Sequence, residues 1–134
     1  MARFQDQSPL RRALLIDAGV TAVTALAMAG GAPLLSGLLA LPEPLLRYAG
    51  LSLVPFVALV AFVATRPQLS HTGVWAVIGL NALWVVASVA LLLGGMVAPN
   101  ALGYGFVLFQ AAVVAVFAEL QFLGLRRSTL RPAV

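Results

Sequence analysis

The chain has 134 residues, of which 62% are hydrophobic and only 9% are charged, and its mean hydropathy is +1.04. A soluble domain carries about 25% charged residues, so this composition indicates a membrane protein and excludes a soluble catalytic domain. The absence of cysteine excludes disulfide bonds and thiolate metal sites. The net charge of +4 rests on eight arginines and no lysine. These arginines lie at the ends of apolar segments, which argues against a nucleic-acid partner.

Four apolar segments are long enough to cross a bilayer as α-helices, which takes about 20 residues each. They cover residues 13–30, 46–65, 73–93 and 101–125. Another apolar segment, residues 33–41, is too short to cross, so we expect an interfacial or re-entrant helix there. The sequence therefore predicts an all-α fold, a single transmembrane domain over residues 1–134 built as a four-helix bundle with one short extra helix.

Glycine and proline residues indicate where the predicted helices break or bend. Residues 30–33 (Gly-Gly-Ala-Pro) break the first helix, because glycine loosens a helix and proline cannot donate to the preceding turn. The alternative is one kinked helix over residues 13–41, which at about 29 residues exceeds the length that a bilayer needs. Pro55 predicts a kink in the second spanning helix.

The arginines predict an orientation for the bundle. Seven of them lie at span ends on one side of the membrane, and Arg47 alone lies on the other. Because arginine-rich short loops stay in the cytoplasm, we expect both termini there. Arginine without lysine, beside abundant Ala, Leu and Val, is typical of a GC-rich bacterial gene, so the expected location is the bacterial inner (plasma) membrane. Asp17 interrupts the first apolar run, so we expect an anchor and not a cleaved signal peptide.

Two carboxylates fall within the spans, where an ionisable group costs about 2.5–3.5 kcal/mol at the helix centre. Asp17 lies five residues after Arg12, and Glu119 lies seven residues before Arg126, so both are near the cytoplasmic ends. In a structural interpretation, each carboxylate pairs with an arginine at the membrane rim. In a functional one, Asp17 and Glu119 face a common cavity, where one holds a proton or a cationic substrate. Their shallow depth favours the structural interpretation.

Polar residues share helix faces in the first and third spans. Asp17, Thr21 and Thr24 lie on one face beside a row of alanines, a pattern typical of a helix contact in lipid or of a narrow polar path. The third span carries three polar or aromatic residues on one face: Asn81, Trp84 and Ser88. We expect Asn81 to hydrogen-bond a neighbouring helix, with ligand binding beside Trp84 as the alternative.

The fourth span is polar on two opposite sides. Gln110 lies about 180° around the helix from Glu119, at 100° per residue, on the face that also carries Phe117 and Gln121. One face can pack inside the bundle, and the other then needs a second partner, which indicates a homo-oligomer or a larger membrane complex. A contact between Asn81 and Gln110 would satisfy both amides.

No nucleophile with an adjacent base, no metal-ligand cluster and no cofactor motif is visible in the sequence. We therefore expect a non-enzymatic accessory or scaffold subunit of the membrane, without a cofactor, that packs against itself or a larger complex. The alternative is a small oligomeric transporter or channel that uses Asp17 or Glu119 in a polar path.

Overall fold

A computed structural model of the chain describes residues 8–130, which form five α-helices and no strand. These are α1 (Ser8–Gly30), α2 (Ala32–Leu39), α3 (Glu43–Ala64), α4 (His71–Leu93) and α5 (Ala101–Leu130). All except α2 are long and apolar enough to cross a membrane. The predicted all-helical fold with four candidate spanning helices is therefore confirmed.

Two of the spanning helices extend beyond their predicted apolar segments into the arginine-bearing ends. α1 begins at Ser8, with Pro9 in its first turn. Proline is tolerated there because its missing N–H has no intrahelical acceptor at that position. α5 continues to Leu130 and carries Arg127 in its last turn, where a cation interacts favourably with the helix dipole. α3 runs through Pro55 as one helix.

A bend at Gly31 separates α2 from α1. The Gly31 N–H still donates to the Ala27 carbonyl at 2.8 Å, and a Cβ added at Gly31 would lie 2.7 Å from that oxygen. A side chain is therefore excluded at this joint. α2 ends at Leu39, and its C-cap residue Ala40 has a left-handed φ of 56°. The Ser36 hydroxyl donates to the Leu41 carbonyl at 2.6 Å across the turn.

The helices pack mainly as two pairs, α1 with α3 and α4 with α5. The first pair is in close contact at Gly50, where a Cβ would lie 2.6 Å from the Ala29 backbone nitrogen. Close backbone approach at small residues is how helices associate in lipid, where the hydrophobic effect between helices is absent. Glycine at position 50 is thus required by the contact.

Two clusters of buried apolar side chains fill the bundle, one at each end. The terminal cluster lies where α1 begins and α3 ends, and it includes Leu10, Leu14, Val60 and Val74. The distal cluster lies where α2 meets α3 and α5, and it includes Met28, Leu39, Leu46, Leu53 and Val107. Polar side chains and a cavity occupy the level between the two clusters.

Hydrogen bonds from Arg11 link the start of α1 to the end of α3. Its guanidinium donates to the carbonyl of Ala64, to that of Arg66 at 2.7 Å and to that of Pro67 at 3.2 Å. The Ala64 carbonyl ends α3 and the other two follow it, at the end of a helix where carbonyls have no intrahelical donor. Arg11 thus serves as a C-terminal cap supplied by another helix.

Candidate functional site

Four buried polar side chains from three helices form one hydrogen-bonded cluster around Asp17. Within α1, the Thr21 hydroxyl donates to Asp17 Oδ1 at 2.9 Å. From α4, Asn81 Nδ2 donates to Asp17 Oδ2 at 2.9 Å and to Gln121 Oε1 at 3.0 Å. From α5, Gln121 Nε2 donates to Asp17 Oδ2 at 2.7 Å. This carboxyl cluster (Asp17, Thr21, Asn81 and Gln121) links α1 to both helices of the other pair.

The Asp17 carboxyl group is fully buried and only accepts hydrogen bonds. Its side chain has 0% exposure, as does Gln121, and all three of its bonds come from donors. Three donors from three helices therefore converge on this one carboxyl group, whose oxygens act as acceptors. Both amides direct their nitrogen atoms toward Asp17, and the Gln121 oxygen accepts the second Asn81 hydrogen.

This arrangement corrects the predicted pairing of Asp17 with an arginine at the rim. The described partners of Asp17 are one hydroxyl and two amides, and Arg11 is bound to carbonyls at the end of α3 instead. The side chain of Asp17 points into the bundle, where arginine would need a long buried reach. The two amides replace the expected ion pair, since hydrogen bonds can hold a buried carboxylate in place.

Gln110 is the centre of a second polar group, between α4 and α5. Trp84 Nε1 donates to Gln110 Oε1 at 2.6 Å. Gln110 Nε2 donates to Ser88 Oγ at 3.0 Å and to the Val107 carbonyl at 2.8 Å. The predicted Asn81–Gln110 contact is therefore wrong. Asn81 and Gln110 occupy different levels of the bundle, and each finds its partners at its own level.

Glu119 lies apart from both polar groups. Its side chain is exposed on the outward face of α5, beside the exposed Ala112 and Ala115. Within the described part of the chain Glu119 makes no ion pair. The hypothesis that Asp17 and Glu119 face a common cavity is therefore wrong, because Asp17 faces inward and Glu119 faces outward. The two polar sides of α5 are nevertheless present as the sequence indicated.

A cavity of about 660 Å³ lies among α1, α3, α4 and α5. Its walls are mainly apolar and include five aromatic side chains: Phe56, Trp84, Phe106, Phe109 and Phe117. Thr21 and Asn81 of the carboxyl cluster line it, and so does Gln110 of the second polar group. Leu80, Leu83 and Phe109 are exposed side chains of its lining, so the cavity opens to the outside of the bundle.

The remaining predicted site residues are Thr24 and Ser88, and of these two only Thr24 lines the cavity. The Thr24 hydroxyl donates to the Val20 carbonyl at 2.9 Å, outside the carboxyl cluster. Ser88 is buried, and its hydroxyl donates to the Trp84 carbonyl at 2.8 Å. The residue that sequence reasoning missed as a site candidate is Gln121. Its position eleven residues after Gln110, three helical turns along the same face, was the available signal.

The arrangement provides hydrogen bonding and an aromatic surface inside an apolar bundle. Among the described residues, no three of His, Asp or Glu lie close enough together to hold a metal ion. The polar groups can therefore position a molecule by hydrogen bonds. No family model, curated protein or solved structure matches this chain at a significant level.

Proposed function

We propose that this chain is a non-enzymatic, multi-pass accessory or scaffold subunit of the bacterial inner membrane, assembled with another membrane protein through the outward face of α5. The observation that carries the proposal is Glu119. Its carboxyl group lies eight residues before Arg127, about 12 Å along the helix, within a candidate spanning segment. A charged group facing lipid at that depth is unfavourable, and a partner would remove that exposure.

The surroundings of Glu119 support a closely packed partner helix. Ala112 and Ala115 are exposed on the same face, and small side chains permit close approach between helices in lipid. In a parallel pair of identical helices, the two Glu119 carboxylates would oppose each other as like charges. A different subunit that supplies a cation or a hydrogen-bond donor at the level of Glu119 is therefore the favoured occupant, and a second copy is the alternative.

Crosslinking tests this partner face. A photoreactive amino acid at Ala112 should crosslink to a protein in native membranes, whereas one at Leu26, an exposed apolar position on α1, should react with lipid only. The Ala112 crosslink should be lost in Glu119→Leu and kept in Glu119→Gln, which retains hydrogen bonding. Two results would contradict the proposal. One is an Ala112 crosslink that persists in Glu119→Leu, and the other is a probe at Ala112 that reacts only with lipid. The mass of the product separates a second copy from a different subunit.

We further propose that both termini lie in the cytoplasm and that α2 lies at the opposite interface. The arginine asymmetry supports the orientation, and the exposed leucines Leu34 and Leu38 would give α2 an apolar surface for lipid. The chain has no cysteine, so a single introduced thiol reports its own location. An impermeant maleimide should label Met96→Cys in intact cells, and Gln68→Cys only after permeabilisation. The reverse pattern would overturn the orientation.

A transporter or channel that uses Asp17 is the second candidate function. The cavity favours it, because two of its lining residues, Thr21 and Asn81, bind the Asp17 carboxylate directly. Glu119 drops out of this path, since it faces away from the cavity. Asp17→Asn should abolish proton-coupled flux in vesicles if Asp17 carries protons or cations. A folded Asp17→Asn protein with the same flux as the wild-type chain would exclude this function.

A further inference from the structure

The mainly apolar cavity beside the carboxyl cluster has a small polar part in its lining. Six of its lining side chains carry polar atoms: Thr21, Thr24, Ser52, Asn81, Trp84 and Gln110. The three hydroxyl groups each use their hydrogen within the protein. Thr21 donates to Asp17, Thr24 donates to a carbonyl of its own helix, and Ser52 donates to the Ala49 carbonyl at 2.7 Å. No hydroxyl hydrogen is left for a ligand.

The nitrogen donors of the lining are used in the same way. The two Asn81 Nδ2 hydrogens go to Asp17 and Gln121. The Trp84 Nε1 hydrogen goes to Gln110, whose own two hydrogens go to Ser88 and Val107. The polar lining of the cavity therefore offers oxygen lone pairs, with its side-chain hydrogens already engaged.

One of these acceptors is buried and unsatisfied. Asn81 has 3% exposure and lines the cavity, and among residues 9–127, whose side chains the structure describes, none donates a hydrogen bond to its Oδ1. A buried polar atom without a partner is unfavourable, because it loses its hydration without compensation. The orientation of Asn81 is fixed by Asp17, so rotation of the amide cannot satisfy this oxygen. A donor from a molecule inside the cavity would satisfy it.

We propose that the cavity binds an apolar molecule that carries a hydrogen-bond donor, with a primary ammonium group bound more tightly than a hydroxyl group. The donor meets Asn81 Oδ1, with Thr21 and Gln110 as neighbouring acceptors, and the apolar body lies against the aromatic walls. This assignment is independent of the partner face on α5, since Glu119 does not line the cavity.

Charge decides between the two donor groups. Asp17 lies directly behind Asn81 and Thr21, and it makes no ion pair with any described residue. The oxygen acceptors of the lining therefore favour an ammonium group, which offers three N–H donors where a hydroxyl group offers one. The faces of Trp84 and the phenylalanine rings of the wall attract a cation as well. An anionic head group would meet only acceptors and is excluded.

Trp84 reports occupancy directly. The chain has two tryptophans, and the other, Trp75, is not part of the cavity lining, so Trp75→Phe leaves Trp84 as the single tryptophan, which can be excited selectively at wavelengths beyond tyrosine absorption. In vesicles of brominated phosphatidylcholine, lipid chains that enter the cavity quench Trp84. A bound amphiphile displaces them and restores the fluorescence. We would compare dodecylammonium, dodecanol, dodecyltrimethylammonium and dodecanoate at equal mole fractions in the membrane.

Dodecylammonium should restore fluorescence at a mole fraction roughly tenfold below that of dodecanol, a ratio corresponding to one additional favourable interaction. Dodecyltrimethylammonium keeps the charge but has no N–H, so it should bind more weakly than dodecylammonium. Dodecanoate should have no effect. Equal responses to all four would identify a lipid-filled crevice and overturn the proposal. Equal responses to the two cations would overturn the hydrogen-bond assignment.

Two α4 substitutions separate binding in the cavity from effects on the surface. Ala87→Phe places a ring in the cavity lining and should abolish the response, whereas Ala82→Phe, at an exposed α4 position outside the lining, should leave it unchanged. If Ala87→Phe fails to fold, Thr24→Val tests the same surface by removing one acceptor. Asp17→Asn should reduce the preference for dodecylammonium over dodecanol. A preference that persists in Asp17→Asn contradicts the role of the charge.

Discussion

Replacing Gln121 by leucine tests whether the carboxyl cluster holds the bundle together. The substitution removes the Gln121 Nε2 bond to Asp17 and leaves one Asn81 hydrogen without its acceptor. A hydrogen bond to a charged group contributes about 1.5–3 kcal/mol in soluble proteins and a neutral one about 0.5–1.5. Interhelical bonds in membranes average about 0.6 kcal/mol and reach about 1.7. Because two bonds are lost at a fully buried position, we expect Gln121→Leu to lower the free energy of unfolding by about 2 kcal/mol.

The measurement is an SDS titration in mixed micelles, with helix content as the signal. Gln68→Leu is the matched control, because Gln68 is exposed between α3 and α4 and its replacement should change the free energy by less than about 0.5 kcal/mol. Asp17→Leu combined with Gln121→Leu should cost less than the sum of the single changes, since removing both partners leaves fewer unpaired groups. A Gln121→Leu protein as stable as Gln68→Leu would refute the reasoning.

Three further predictions use the same titration or amide exchange. Gly50→Ala should lower the free energy of unfolding by about 1–3 kcal/mol, because the new Cβ would clash with the α1 backbone. Gly19→Ala is the control. Its new Cβ has open space around it, so the change should be neutral or should raise the free energy of unfolding by up to about 1 kcal/mol. Arg11→Ala should lower the free energy of unfolding by about 1 kcal/mol, because the cap of α3 is lost. Arg12 is exposed, so Arg12→Ala should lower it by less than about 0.5 kcal/mol. Asn100→Ala removes the cap of α5 and a bond to the last turn of α2, so hydrogen–deuterium exchange of α2 amides should accelerate.

The number and type of helices could be predicted from the sequence because the bilayer length and apolar composition determine them. Helix ends were less predictable from hydropathy. The backbone hydrogen bonding of α1 and α5 continues through polar residues that lie outside the apolar segments. His71 illustrates this difference. It lies before the predicted span of residues 73–93, but Ser70 caps α4 by accepting a hydrogen bond from the Gly73 N–H at 3.0 Å, so His71 is the first residue of that helix.

The members of the carboxyl cluster could be found on helix faces, but their partners could not. Facial periodicity places Asn81 and Asp17 on inward faces, yet it does not give the relative height and rotation of separate helices. The sequence therefore predicts a contact between Asn81 and Gln110. In the structure, the crossing of α1, α4 and α5 brings Asn81 to Asp17 and Gln121 instead. The cavity was also invisible in the sequence, because it results from how the two helix pairs fit together.

Asn81 connects the stability of the bundle to the binding that we propose for the cavity. Its two amide hydrogens are engaged within the carboxyl cluster, while its oxygen is oriented by those bonds and free to accept. A ligand donor can therefore bind without breaking any bond of the cluster. Binding of this kind adds to the free energy of unfolding as ligand concentration rises above its dissociation constant. The residue that holds α4 to α1 would thus also transmit occupancy of the cavity to the stability of the whole bundle.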